Sequence, residues 1–170
     1  TARTTEDIDL FLRAEVVASE DRMDKYKQAL QQLAFEVVEQ AKWMKFSRSV
    51  YGKKVLIDLM VGPFVEYESR VEQKGIRVKP KGTSGLHARF AEDALSIELN
   101  PLAIKLEELD NTCTIFVPQA FPFALMKLGA FHDRVHDANK EEGRHHALDL
   151  YRIIAMLTKE ESMHAEQLAD

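Results

Sequence analysis

The sequence has a single cysteine, Cys113, so no disulfide can form within the chain, and the reading is a protein of a reducing compartment, the cytoplasm. Long apolar runs are missing: none approaches the roughly 20 residues that a membrane-crossing helix needs. No signal-like segment opens the chain either, and the expectation is a protein without membrane association. Seven glycines and five prolines among 170 residues form no low-complexity linker, and no internal repeat is present. Positive charge is the minority sign, 23 Lys and Arg against 28 Asp and Glu, for a net charge of -5. That balance argues against wholesale electrostatic binding of nucleic acid but leaves room for a local basic patch.

A hydrophobic content of 45% in a chain of this length suffices for one domain with a real core, either alone or with a small helical extension. The most informative stretch is Asp7-Ile8-Asp9-Leu10-Phe11-Leu12. Residues two apart on a strand share a face, so Asp7 and Asp9 project together while Ile8 and Leu10 turn the other way. Like-charged carboxylates at that separation favour a hard divalent cation such as Mg²⁺ between them. The ordinary alternative is one Asp at a turn and the other solvated at a strand end.

Further along, Ser19 followed by Glu20 and Asp21 reads as an N-cap with an acidic first turn. Apolar residues from Met23 to Ala41 recur at helical spacing and predict a long helix ending near Lys42. Lys54 to Val61 reads as a strand ended by Gly62-Pro63, with Asp58 in its middle. A carboxylate there is costly to bury alone, so it should find a partner or face a polar site. Between Gln73 and Ala91 there is no acidic residue, while Lys74, Arg77, Lys79, Lys81 and Arg89 all occur, with His87. This is either a phosphate or nucleic-acid contact surface or a solvated hairpin and loop.

Ala94 to Leu99 is expected as a strand, Pro101 to Leu109 as a short helix or turn, and Thr112 to Val117 as a strand. Pro122 suits a helix first turn, and the apolar run Phe123 to Phe131 carries one charge, Lys127. Its ammonium either snorkels to the surface or serves a carboxylate site by holding phosphates. A second helix is expected over roughly Arg144 to Leu157, with a polar tail from Lys159 that frays or forms a last surface helix.

Two histidine patterns compete. His132 and His136, at i and i+4, imitate a zinc-protease helix, but Asp133 stands where that chemistry uses Glu and no third ligand is evident. The pair His132-Asp133, with His145, His146 and Asp149, loosely resembles His/Asp metal-dependent phosphohydrolases, although the additional upstream His of that family is absent.

Taken together, Arg3-x-Thr5-x-Asp7-Ile8-Asp9-Leu10, the strand Val55-Leu56-Ile57-Asp58-Leu59, the helix Leu125-Met126-Lys127-Leu128-Gly129-Ala130 running to Arg134, and Asp149-Leu150-Tyr151 resemble the AbiEii-type nucleotidyltransferases. These belong to the superfamily that shares the DNA polymerase β-like catalytic core. The resemblance covers both ends of the chain, with its motifs in order. It implies an α+β fold, a small mixed β-sheet flanked by helices over 1–118, expected as the nucleotidyltransferase core without its first elements, and a C-terminal helical part over 119–170 packing on that core.

What the resemblance implies for chemistry is a transferase moving a nucleoside monophosphate from a nucleoside triphosphate to a hydroxyl of RNA or a small molecule. Asp7, Asp9 and Asp58 would be the metal ligands, for two Mg²⁺ ions. Lys127 would steady the triphosphate, with Arg134, Lys140 and Asp149 as further nucleotide contacts. Asp58 is the candidate general base. Such proteins include toxins of toxin-antitoxin pairs, which makes an antitoxin protein an implied partner. The family's Gly-Ser pair before its Asp-x-Asp cannot be located, because only six residues precede Asp7. Either it lies upstream of this sequence or nucleotide binding is lost, which leaves an inactive, nucleotidyltransferase-like binding module as the alternative.

Overall fold

The structure, a computed structural model, describes residues 7–92, 94, 97, 101–108, 111–135 and 140–169. It is a mixed α+β fold in two compact units, Thr1–Glu92 and Asp93–Asp170. No described helix is long and apolar enough to cross a membrane.

In the first unit, β1 (Asp7–Leu12) leads through the single turn α1 (Ala14–Val17) into α2 (Glu20–Gln32). Ser19 caps α2 as its sequence position predicts, its hydroxyl accepting from the Arg22 N–H at 3.5 Å. The helix then stops ten residues earlier than its apolar periodicity predicts. Ala34 takes the left-handed conformation (φ 56°), and its N–H and that of Phe35 donate back to the carbonyls of Gln31 and Leu30. This is a Schellman closure, which satisfies two of the carbonyls orphaned at a helix end. Phe35, Val37 and Val38 continue the apolar spacing, but the chain there becomes β2 (Glu36–Val37) and pairs with β3 (Lys45–Val50).

The hub of the sheet is β4 (Lys53–Val61). Antiparallel β3 covers Lys53 to Asp58, parallel β1 covers Leu56 to Val61, and parallel β7 (Ala88–Phe90) covers Met60 and Val61. Because β1 overlaps both other partners, it must occupy one edge of β4 while β3 and β7 follow one another along the opposite edge. β6 (Arg77–Pro80) and β5 (Val71–Lys74) extend the sheet beyond β7. The basic stretch therefore forms a hairpin and a strand rather than an open loop.

Strand alternation gives this sheet two unlike faces. Leu12, Phe46, Leu59, Val61, Val71, Val78 and Ala88 point to one side, where they form a core with Val17 of α1 and Met23 and Leu30 of α2. Leu59 and Val61 are fully buried, and each large side chain removed from water there contributes roughly 1.5–3 kcal/mol. Residues of the other parity, Asp7 and Asp9 among them, line the polar side.

In the second unit, β8 (Leu102–Glu108) and β9 (Asn111–Val117) form an antiparallel hairpin. A short helix or turn is the sequence expectation for 101–109, and the structure overturns it. Leu102, Ile104 and Leu106 alternate with Ala103, Lys105 and Glu107 at period two, and their register opposite Val117, Ile115 and Cys113 gathers the apolar residues on one face. The strand expected over Ala94 to Leu99 falls largely outside the described residues; Ala94 accepts a turn hydrogen bond from Ile97. Three helices follow: α3 (Ala120–Arg134), α4 (Lys140–Met156) and α5 (Lys159–Ala169). α3 packs against both α4 and α5, and Pro122 is buried in the first turn of α3. The polar tail is thus helical.

Candidate active site

Asp9 stands in register with Asp58 across the parallel β1–β4 pair, and Asp7 precedes Asp9 by two residues on the same strand. In-register partners project to the same face of a sheet. All three carboxylates singled out from the sequence therefore lie on the polar face, at the start of β1 and the middle of β4. Asp7 and Asp9 are exposed, and β1 becomes buried only toward Leu12. Isolated carboxylates opposite one another repel.

A cation completes the row. Lys45 of β3 is in register with Asp58 on its other side, and its Nζ lies 2.9 Å from Asp58 Oδ2. Both side chains are mostly buried, 27% and 21% exposed, so the contact is screened less than a surface ion pair. Lys45, Asp58 and Asp9 thus run across three neighbouring strands as cation, anion, anion. Sequence reasoning misses Lys45, since nothing in Lys45-Phe46-Ser47-Arg48 marks one lysine among many; only the register selects it.

The same face continues toward the basic stretch. Met60, two residues beyond Asp58, is in register with Arg89, and Arg89 with Arg77. Much of that positive charge is used locally. Arg77 donates to the Lys42 carbonyl at 3.2 Å, Lys81 to that of Ser69 at 3.1 Å, and Lys79 to the Thr83 carbonyl while pairing with Glu72 at 3.4 Å. His87 lies among them with its Nδ1 buried and without a hydrogen-bond partner among the described residues. Burial first, then the charges of Arg77 and Lys79, hold its pKa below the usual histidine range, with Glu72 opposing.

In the second unit, Lys127 of α3 reaches Asp149 of α4, Nζ to Oδ2 at 3.3 Å, both side chains about three-quarters buried. The ammonium also sits 5.2 Å from the centre of the Phe123 ring, and Arg152 approaches the other carboxylate oxygen at 3.9 Å. The isolated charge in the apolar run thus has a partner one helix away. Arg134, at the end of α3, places a guanidinium nitrogen 3.0 Å from His146 Nε2. A guanidinium only donates, so Nε2 accepts and carries no proton. Arg134 also borders a cleft of about 190 Å³ with Phe131, Val135, Gly143 and Arg144. Lys140 is the first residue of α4.

No family model, curated protein or solved structure matches the chain. The chemical argument therefore rests on the arrangement itself.

The histidine patterns gain little from it. His132 and Asp133 are largely exposed and 3.9 Å apart, His145 is exposed, and His136 lies outside the described residues. Among the described residues no three His, Cys, Asp or Glu side chains converge on a metal position. Asp7, Asp9 and Asp58 nonetheless suit a hard cation in donor type and in shared face, and the Lys45 ammonium already stands in for positive charge at Asp58.

Proposed function

We propose that this chain carries the catalytic carboxylates of a metal-dependent nucleotidyltransferase of the DNA polymerase β-like kind, moving a nucleoside monophosphate from a nucleoside triphosphate to a hydroxyl of RNA or a small molecule. The observation that supports it is the register of Asp9 with Asp58, with Asp7 beside them on the same polar face. Three carboxylates from two adjacent parallel strands form a set of oxygen donors suited to Mg²⁺. Asp7, Asp9 and Asp58 would hold Mg²⁺, which when bound neutralises charge on the triphosphate and lowers the pKa of an attacking hydroxyl.

The remaining roles belong to the protein's own groups. Asp58, mostly buried in the middle of β4, is the candidate to accept the hydroxyl proton. Lys127, held by Asp149 in the second unit, has the role of a triphosphate contact from the resemblance alone. Asp149 orients its ammonium, and the nucleotide-contact roles of Asp149, Arg134 and Lys140 likewise follow from the resemblance alone. A toxin role with an antitoxin partner follows from the resemblance alone and is part of the same proposal.

The test incubates the protein with Mg²⁺, each labelled nucleoside triphosphate, and total RNA or a small-molecule pool, in parallel with Asp9→Ala. Label transfer by the wild type and its loss in the variant are expected. Equal incorporation by both proteins removes the assignment. A second reading, a binding module without turnover, is favoured by the engagement of Asp58 with Lys45. It predicts neither calorimetric binding of Mg²⁺-nucleotide nor label transfer.

A further inference from the structure

We propose that Lys45 is a built-in counter-ion that occupies the divalent-cation position at Asp58 and has to release that carboxylate before the site can close on a metal. The inference rests on reading Asp7, Asp9 and Asp58 as metal ligands, and it concerns what controls that site.

The geometry is a single row. Lys45 and Asp9 flank Asp58 on opposite edges of β4, each in direct register with it, so all three side chains leave the sheet on the same side. Lys45 Nζ is 2.9 Å from Asp58 Oδ2, the separation of a charge-assisted hydrogen bond. β3 is held to β4 along Lys45 to Val50, so the lysine is anchored at its backbone and only its flexible stem adjusts. Leu59 strengthens the anchoring, its N–H donating to the Met44 carbonyl next to Lys45 at 2.8 Å.

The energetics favour this arrangement without a divalent ion. Facing strands that bring carboxylates into direct opposition are destabilised, and a partly buried carboxylate is costly without a partner. Lys45 offsets both effects. The same contact opposes metal binding. A divalent ion shared by Asp9 and Asp58 needs an Asp58 oxygen directed toward β1, whereas Lys45 draws the carboxylate toward β3 and adds a positive charge next to the incoming cation. A lysine suits the role because its ammonium is a compact charge on a flexible stem and can swing away.

Mn²⁺ serves as the probe, titrated by electron paramagnetic resonance into wild type, Lys45→Met and Lys45→Arg, with thermal denaturation of each in EDTA. Lys45→Met should bind Mn²⁺ about three- to tenfold more tightly than wild type, the range set by removing one partly buried charge contact, and should melt at a lower temperature in EDTA. Lys45→Arg should bind more weakly than wild type, because a planar fork grips the carboxylate at two points. Should Lys45→Met fail to fold, the arginine variant carries the test alone. Binding by wild type with equal or weaker affinity in Lys45→Met, or unchanged affinity in Lys45→Arg, overturns the counter-ion role and leaves the metal site standing. Mn²⁺ binding by none of the folded proteins overturns both.

Discussion

Asp9 and Asp58 face each other across the parallel β1–β4 pair, yet they differ in what surrounds them: Asp9 is exposed, while Asp58 is mostly buried against Lys45. Two residues of one type in one register row therefore separate structure from chemistry when substituted.

Asp9→Asn should leave stability within about 0.5 kcal/mol of wild type, as exposed substitutions do, while lowering label transfer at least about 100-fold, because under the proposed function it removes a metal ligand. Asp58→Asn should lower transfer as much and also cost about 1 kcal/mol of stability, since Lys45 loses its charged partner. Urea denaturation alongside the transfer assay separates the two. Similar stability losses in both variants contradict the burial difference.

Lys127 and Asp149 should show coupling of about 0.5–1 kcal/mol in a double-mutant cycle of Lys127→Met and Asp149→Asn, read by chemical denaturation. Asp149→Asn alone should be the more damaging, because Lys127 and Arg152 both direct charge at that carboxylate. Additive effects would mean that the contact adds no stability.

Ala34→Gly should stabilise the protein by about 0.5–1 kcal/mol. Ala34 holds a left-handed backbone at the end of α2, where a Cβ is strained and glycine is not. The greater freedom of glycine in the unfolded chain removes part of the gain. The check is the urea midpoint at unchanged m-value.

His87 sets a pH dependence with a defined sign. Its folded-state pKa is depressed, by burial above all and then by Arg77 and Lys79. Above the ordinary histidine pKa of about 6.5 both states are neutral and the residue contributes nothing. Below it the unfolded chain takes up a proton that the folded protein resists, so stability falls as pH drops from about 6.5 through the folded pKa. Melting temperatures from pH 7.5 to 5.5 should decline less steeply in His87→Gln than in wild type; parallel profiles contradict the assignment.

The sequence by itself determined the local elements whose signals are periodic and capped. Alternation in Asp7-Ile8-Asp9-Leu10 made β1 and put two carboxylates on one face, β-branched residues made β4, and Ser19 started α2. Lys127 stood out as a charge in an apolar helix. Only the tertiary structure decided what these residues meet. Helical spacing runs on through Val37 and Ala41, but the Ala34 closure and the pairing of β2 with β3 end α2 early, because backbone hydrogen bonds to a neighbouring strand outweigh local periodicity. Leu102 to Leu106 became a strand because β9 supplies its ladder. Most of all, the row Lys45, Asp58, Asp9 depends on strand register: the hairpin closing at Tyr51-Gly52 sets Lys45 opposite Asp58, and tertiary packing sets β1 beside β4, a pairing that leaves no mark in the spacing of either segment.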